Sequence, residues 1–328
     1  MPGSAVLWIA LLAPVLARLA GAGPDPSPHR VRLVSVDNDV RLEVLDWGGA
    51  GRPLILLAGG GDTAHVFDEF APKLTTYRHV YGITRRGFGA SGFSMPARPM
   101  ERLRDDVLAV MDALGIDRPV LVGHSIAGAE LSAVAGSAAG RVAGLVYLEA
   151  GYPYAFNNGA GPTMDEFQQR RGPQPPTPAA SNLASFRSLQ KWDADMYGAR
   201  KPEAELRQTW ESSSDRRPTK PRVFPGGQMF MPILTNGPRY TEIPVPALVI
   251  FAIPHLQESW IDKSPDPAVR PASRAYLAAI DAATERQARA FEGGVPTARV
   301  VRLPGAHYIF LSNERDVLRE MRTFLSGL

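Results

Sequence analysis

The chain has 328 residues, 45% of them apolar, and a net charge of +3. That length suits one large domain with an insertion, or two small domains. The scattered basic residues lack the stripe of a nucleic-acid binder, and the absence of cysteine excludes disulfides, thiolate metal sites and thiol catalysis.

Residues 1–22 read as a signal peptide. An apolar run from Ala5 to Ala17 precedes Ala20-Gly21-Ala22, a small-residue cleavage pattern. The run is too short to span a membrane, so no stable span is expected in the mature chain. The pattern points to a periplasmic or secreted protein. No basic residue precedes the run, which keeps a cytoplasmic location as the alternative. Residues 23–30 are Pro-rich and read as a linker.

From Val31 the alternation of apolar and polar residues predicts a hairpin: one strand over 31–36, a turn at Asp37-Asn38-Asp39, a second strand over 40–47. Pro53–Ala58 is a short continuous apolar run, as expected for a strand buried on both faces. A helix over 66–74, a strand over 79–84 and an amphipathic helix over 100–114 follow. Then come a strand at 119–123, a small-residue helix at 126–136 and a strand at 142–148. Strands alternating with helices imply a parallel sheet with right-handed crossovers. The alternation stops at Gly151. Residues 151–244 are rich in Pro, Gly and aromatics and read as an inserted, mainly helical cap. The α/β pattern resumes with a strand at 247–251, a helix at 271–291, a strand at 298–303 and a closing helix at 314–325. The core is therefore expected over 31–150 and 245–328.

Val120-Leu121-Val122-Gly123-His124-Ser125-Ile126-Ala127-Gly128 is an apolar strand, then G-x-S-x-A-G, then a helix. At such an elbow the serine sits on a strained turn with its hydroxyl above the sheet edge, and small residues two before and two after make room. Ser125 is the candidate nucleophile. Upstream, Ala58-Gly59-Gly60-Gly61 follows a buried strand. Backbone N–H groups of Gly60 (or Gly61) and Ile126 could hold a developing oxyanion. No G-K-[ST] follows the glycines, so a phosphate loop is not expected. Asp62 reads as a helix-start residue. The basic run Arg216, Arg217, Lys220, Arg222, broken by prolines, reads as a solvated loop.

The order of the Gly loop, Arg86-Gly87-Phe88-Gly89-Ala90-Ser91, the G-H-S-I-A-G elbow and Gly305-Ala306-His307 before a last helix resembles the α/β-hydrolase superfamily. The resemblance implies an α/β-hydrolase fold: a mostly parallel sheet, helices on both faces and an inserted cap. It implies His307 as general base, a task that suits imidazole near neutral pH. It also implies Arg86–Ser91 as a loop bracing the site. Where the family's oxyanion loop often begins with His, this chain has Ala58. An acid should hydrogen-bond the outer ring nitrogen of His307 and fix its tautomer. The usual acid position holds His255, which cannot serve. Glu149, ending the strand after the elbow helix, is the first candidate, with Glu258 and Asp262 as alternatives.

These readings converge on hydrolysis of a carboxylic ester or related acyl bond in a small, apolar substrate. A lactonase, amidase or carbon–carbon bond hydrolase could use the same residues. A non-catalytic ligand-binding protein on this fold is the alternative of another class. No H-E-x-x-H motif or paired Asp/Asn loop is present, so neither metal nor cofactor is expected, and the expected partner is a small molecule rather than a nucleic acid.

Overall fold

The structure, a computed structural model, describes residues 29–328. The expected signal peptide and nearly all of the linker lie outside the described residues. In chain order the core opens with β1 (Arg30–Ser35), β2 (Arg41–Gly48), β3 (Pro53–Leu57) and β4 (His79–Ile83). It continues through α1 (Pro99–Leu114), β5 (Val120–His124), α2 (Ala127–Ala138) and β6 (Gly144–Leu148). The insertion carries α3 (Met164–Gln168), α4 (Phe186–Tyr197), α5 (Glu203–Thr209), β7 (Trp210–Ser212), β8 (Pro218–Pro221) and α6 (Phe230–Asn236). The core then resumes with β9 (Ala247–His255), α7 (Ser259–Lys263), α8 (Val269–Gly294), β10 (Ala298–Gly305), α9 (Ile309–Ser312) and α10 (Glu314–Ser326).

Eight strands form one sheet in the order β1-β2-β4-β3-β5-β6-β9-β10. β2 runs antiparallel to both its neighbours, and every pairing from β4 to β10 is parallel. The fold is that of an α/β hydrolase. The central strands read as unbroken apolar runs because both of their faces are covered. On one face α1, α2 and α8 pack against Ile55, Leu121, Leu145 and Val249. On the other, Phe67, Phe70, Phe310, Val317 and Met321 cover Leu54, Val122, Val146 and Ile250. α10 manages this with Val317, Met321 and Leu325 at four-residue spacing on one side.

One expected helix is different. Residues 66–74 form two short 3-10 turns, Ala64–Phe67 and Ala71–Lys73. Pro72 lacks the N–H needed to continue an α-helical ladder. Val66, Phe67, Phe70, Ala71 and Leu74 are nonetheless all buried, so their apolar periodicity reports packing rather than one helix. The insertion also holds the antiparallel β7–β8 hairpin, for which the sequence shows no alternating run.

The aromatics of the insertion divide by task. Phe186 and Trp210, with Leu189 and Leu206, build a small core of its own, against which Trp192 packs. Met229 and Ile233 instead dock α6 against Met100, Leu103 and Ile126. The basic residues Arg216, Arg217, Lys220 and Arg222 are all exposed, but Lys220 lies on β8 and not in a loop. Among the described residues no helix is long and apolar enough to cross a membrane.

Candidate active site

The parallel register brings the carboxyl ends of the central strands together. Leu57 pairs with Gly123, His124 with Leu148, and Leu148 with Ile250. Side chains just beyond these pairs therefore meet above one sheet edge, where open α/β sheets bind ligands.

Ser125 lies between β5 and α2 with φ of +52°. This left-handed conformation costs a side-chain-bearing residue about 1–2 kcal/mol, and the packing around the elbow holds it. Gly128 shows how tight that packing is. A Cβ there would lie 1.9 Å from the carbonyl oxygen of Ala150, so α2 could not seat against the end of β6 with any other residue. A Cβ on Gly59 would lie 2.7 Å from His124 Nδ1 and 3.3 Å from Ser125 Cβ. The glycine loop thus runs directly past the serine, with Gly60 beside Ile126.

His307 follows β10. Its Nε2 stands 3.0 Å from Ser125 Oγ. Ser312 Oγ accepts the Ala306 N–H at 2.9 Å, and Asn313 Nδ2 donates to the Pro304 carbonyl at 2.8 Å. These bonds set the loop that carries the ring. The depth of the site pushes the His307 pKa below the ordinary imidazole range, His124 adds to the effect, and the charge of Glu149 opposes it. The ring itself faces the open pocket and stays solvent-accessible, so water in the pocket tempers that shift.

Glu149 is fully buried, with φ of +50°. Its Oε2 accepts the Ala252 N–H at 2.5 Å. Its Oε1 accepts the Tyr152 hydroxyl and lies 3.2 Å from His255 Nε2. Among the described residues no hydrogen bond joins Glu149 to His307, which differs from the contact expected of the acid. The carboxylate is drawn toward β9 by these three donors, and it acts on His307 through its charge. Of the alternatives, Glu258 lines the same pocket, with its pKa raised by burial. Asp262 lies exposed on α7, where it accepts Gln257 Nε2 at 2.8 Å.

Supporting residues surround the site, and of these Arg85 carried no functional signal in the sequence. Arg85 is buried and donates to the carbonyls of Gly59 (3.1 Å) and Ala58 (2.8 Å), while its Nε reaches Glu130 at 2.8 Å. A cation therefore holds the glycine loop from behind in a chain that has Ala58 at the loop's start. Arg86 pairs with Asp106 through two bonds of 2.6 Å, and Ser91 Oγ bridges the Glu43 N–H and the Thr84 carbonyl. The Arg86–Ser91 loop is thereby tied to α1 and the sheet. Asp62 does not start a helix; Thr63 caps the following turn. Asp62 instead accepts the Tyr308 hydroxyl at 2.9 Å and Lys201 Nζ at 3.3 Å, joining the insertion to the loops at Gly60 and His307. Tyr154 lines the same pocket as Ser125.

Two cavities lie near the site. One of about 320 Å³ contains Ser125 and His307 and is walled by Tyr152, Tyr154, Phe167 and Ile280. The other, about 790 Å³, lies beyond Gly60 and Gly61 and is walled by Trp192, Tyr197, Lys201, Phe224 and Phe230. Away from both, donor atoms of His29, His65 and Asp68 lie within 4.8 Å of one another and could hold a metal ion. Asp68 also binds both imidazoles directly, at 2.8 and 3.0 Å, and the Trp47 indole at 3.1 Å, so the cluster is already a hydrogen-bonded unit.

Comparison with known proteins bears on the family and the fold. Residues 54–320 match the alpha/beta hydrolase family. The dihydrolipoyllysine-residue acetyltransferase component of the acetoin cleaving system of Pseudomonas putida is 37% identical over 145 residues, 42% of this chain and 37% of that protein. The chain spans about a third of the length of the curated relatives it matches. Among solved structures, E-2-(acetamidomethylene)succinate hydrolase superposes with a TM-score of 0.61 at 18% identity, covering 91% of this chain and 99% of that one. The carboxylesterase CesB of Bacillus subtilis follows at 0.58 and 16% identity, covering 92% and 93%. The strand order, the elbow and the family match across most of the chain lead to one conclusion: this protein belongs to the alpha/beta hydrolase family.

Proposed function

We propose that this chain is a serine hydrolase that cleaves a carboxylic ester or a related acyl bond of a small, apolar substrate. The observation that carries the reading is the 3.0 Å approach of His307 Nε2 to Ser125 Oγ at a strained elbow. A hydroxyl alone is a weak nucleophile, and an imidazole at this distance can take its proton as it attacks.

In this reading Ser125 Oγ adds to the acyl carbon while its proton passes to His307 Nε2. The carbonyl oxygen becomes an oxyanion, held by the backbone N–H groups of Gly60 and Ile126. Collapse breaks the bond to the leaving group, which takes the proton from His307. A water molecule then attacks the acyl-enzyme and gives a proton to His307; the bond from the acyl carbon to Ser125 Oγ breaks, Oγ takes that proton back, and the acid leaves. Glu149 stabilises the transient imidazolium through its charge. The pocket beside Ser125, with its Tyr152, Tyr154, Phe167 and Ile280 walls, favours an apolar group.

The test is labelling with a fluorophosphonate probe, followed by a hydrolysis screen over p-nitrophenyl esters of graded acyl length. The parent should label at one serine, and Ser125→Ala should not label at all. A parent that neither labels nor turns over any ester would leave the ligand-binding alternative standing.

A further inference from the structure

His255 occupies the end of β9, beside Glu149, with its side chain only 11% exposed. Both of its ring nitrogens face carboxylates. Nδ1 lies 2.7 Å from Asp281 Oδ1 on α8, and Nε2 lies 3.2 Å from Glu149 Oε1. The backbone N–H of His255 donates to the same Asp281 oxygen at 2.9 Å. A neutral imidazole carries one N–H. In its neutral form one ring nitrogen would point a lone pair at a carboxylate oxygen. The imidazolium satisfies both contacts.

We propose that His255 is a standing imidazolium and a positioning residue for the reaction. It anchors Glu149, and its positive charge tunes His307. A carboxylate offers about four lone-pair positions. Tyr152, His255 and the Ala252 N–H take three of those on Glu149. None of these bonds comes from His307, so Glu149 reaches that ring through its charge. The charges also balance. Glu149, Asp281 and His255 together sum to one negative charge. When His307 takes the proton of Ser125 the cluster becomes neutral, so the imidazolium forms where a compensating charge already waits. This role extends the acyl-transfer reading and rests on it for its kinetic consequences.

The groups facing His255 are Glu149 and Tyr152 after β6, Asp281 on α8, Glu258 before α7, and His307 across the pocket; Tyr276 lies beyond Glu258. Burial disfavours the His255 charge, but the bonds and charges of Glu149 and Asp281 outweigh it and raise the pKa to about 9. The folded imidazolium therefore persists through neutral pH and is lost as pH rises through that value. His255 in turn lowers the pKa of His307.

Two measurements test this. The first needs no activity: ¹⁵N NMR of histidine-labelled full-length protein, with His255 assigned by the signals missing in His255→Gln. Two ring N–H groups at about pH 7.5 are expected; a single protonated nitrogen overturns the proposal. The second is the rate of inactivation by a fluorophosphonate probe between about pH 4 and 10. Removing the cation in His255→Gln should move the acid limb up by roughly half a pH unit or more, because unit charges at such separations interact by a kcal/mol or so. The decline near pH 9 should disappear. Asp281→Asn, which leaves His255 in place, should move that decline to lower pH and serves if the first variant fails to fold. A rate lowered equally at every pH, with unmoved limbs, would make His255 a packing residue and overturn its role. If the parent itself does not react, the acyl-transfer reading fails, while the NMR result still decides the charge of His255.

Discussion

His124 Nε2 lies 3.0 Å from the backbone carbonyl oxygen of His307, which couples the residue before the proposed nucleophile to its proposed base. His124 is buried, and burial lowers its pKa to about 4 despite that bond. It is therefore neutral at pH 7, with its one proton on Nε2 where it can donate. His124→Phe removes the bond and should lower kcat by roughly tenfold, since a small misplacement of a base costs rate steeply. KM should change less. Steady-state kinetics on the best p-nitrophenyl ester will check this; an unchanged kcat would mean that His307 is positioned without His124.

Ser125→Ala should lower kcat by at least about 10³ while leaving the circular-dichroism spectrum and Tm near those of the parent. The elbow has no other nucleophile, and Ala relieves none of the contacts that hold the turn. Activity within tenfold of the parent would end the assignment of Ser125.

The acid is tested by charge. Glu149→Gln should lower kcat by roughly 10³–10⁴, because an amide does not stabilise the imidazolium. Glu258→Gln and Asp262→Asn should each cost less than about tenfold, since Asp262 is exposed on α7 and no bond joins Glu258 to the ring. A silent Glu149→Gln beside a crippled Glu258→Gln would transfer the role to Glu258.

Arg85 and Glu130 form a buried pair, with side chains 4% and 5% exposed. Arg85→Met leaves Glu130 as an uncompensated buried charge and should destabilise the fold by about 3–5 kcal/mol in urea unfolding. It also frees the carbonyls of Ala58 and Gly59 from their donor. Arg85→Met with Glu130→Met together should recover much of the stability but not the activity, because the glycine loop stays unanchored. Equal loss of stability in the single and double variants would contradict this account.

Glu205 on α5 is buried and receives both the N–H of Thr63, at 3.0 Å, and its hydroxyl. Burial and the charge of Asp62 raise its pKa from 4.5 to about 8, against the opposing bonds of Thr63. The folded state thus holds a proton that the unfolded state releases, and stability should fall as pH rises from about 4.5 to about 8. Glu205→Gln removes this loss. Its Tm relative to the parent should increase between pH 5 and pH 8; a constant difference would show that Glu205 does not titrate in that window.

The chain by itself determined the sheet and pointed to Ser125 and His307, two residues that meet at its edge. Continuous apolar runs at Pro53–Ala58, Pro119–Gly123 and Ala247–Phe251 are what strands covered on both faces require, and alternation with amphipathic helices makes them parallel. Local sequence also placed Ser125, because the small residues Gly123, Ala127 and Gly128 next to a strand allow a strained turn. His307 was legible from its order in the chain through family likeness. Tertiary structure alone decided the rest. The partners of Glu149 come from β9 and from the turn after β6, so nothing near it in sequence announces His255 or Ala252 as its ligands. Arg85 reads as one of many basic residues until folding brings it behind Gly59. Lys201 and Asp62 lie 139 residues apart in the chain, yet they meet beside Tyr308. Periodicity reports which face of a segment is buried. It does not report which distant polar group waits there, because a hydrogen bond depends on the position of two atoms and not on the spacing along one chain.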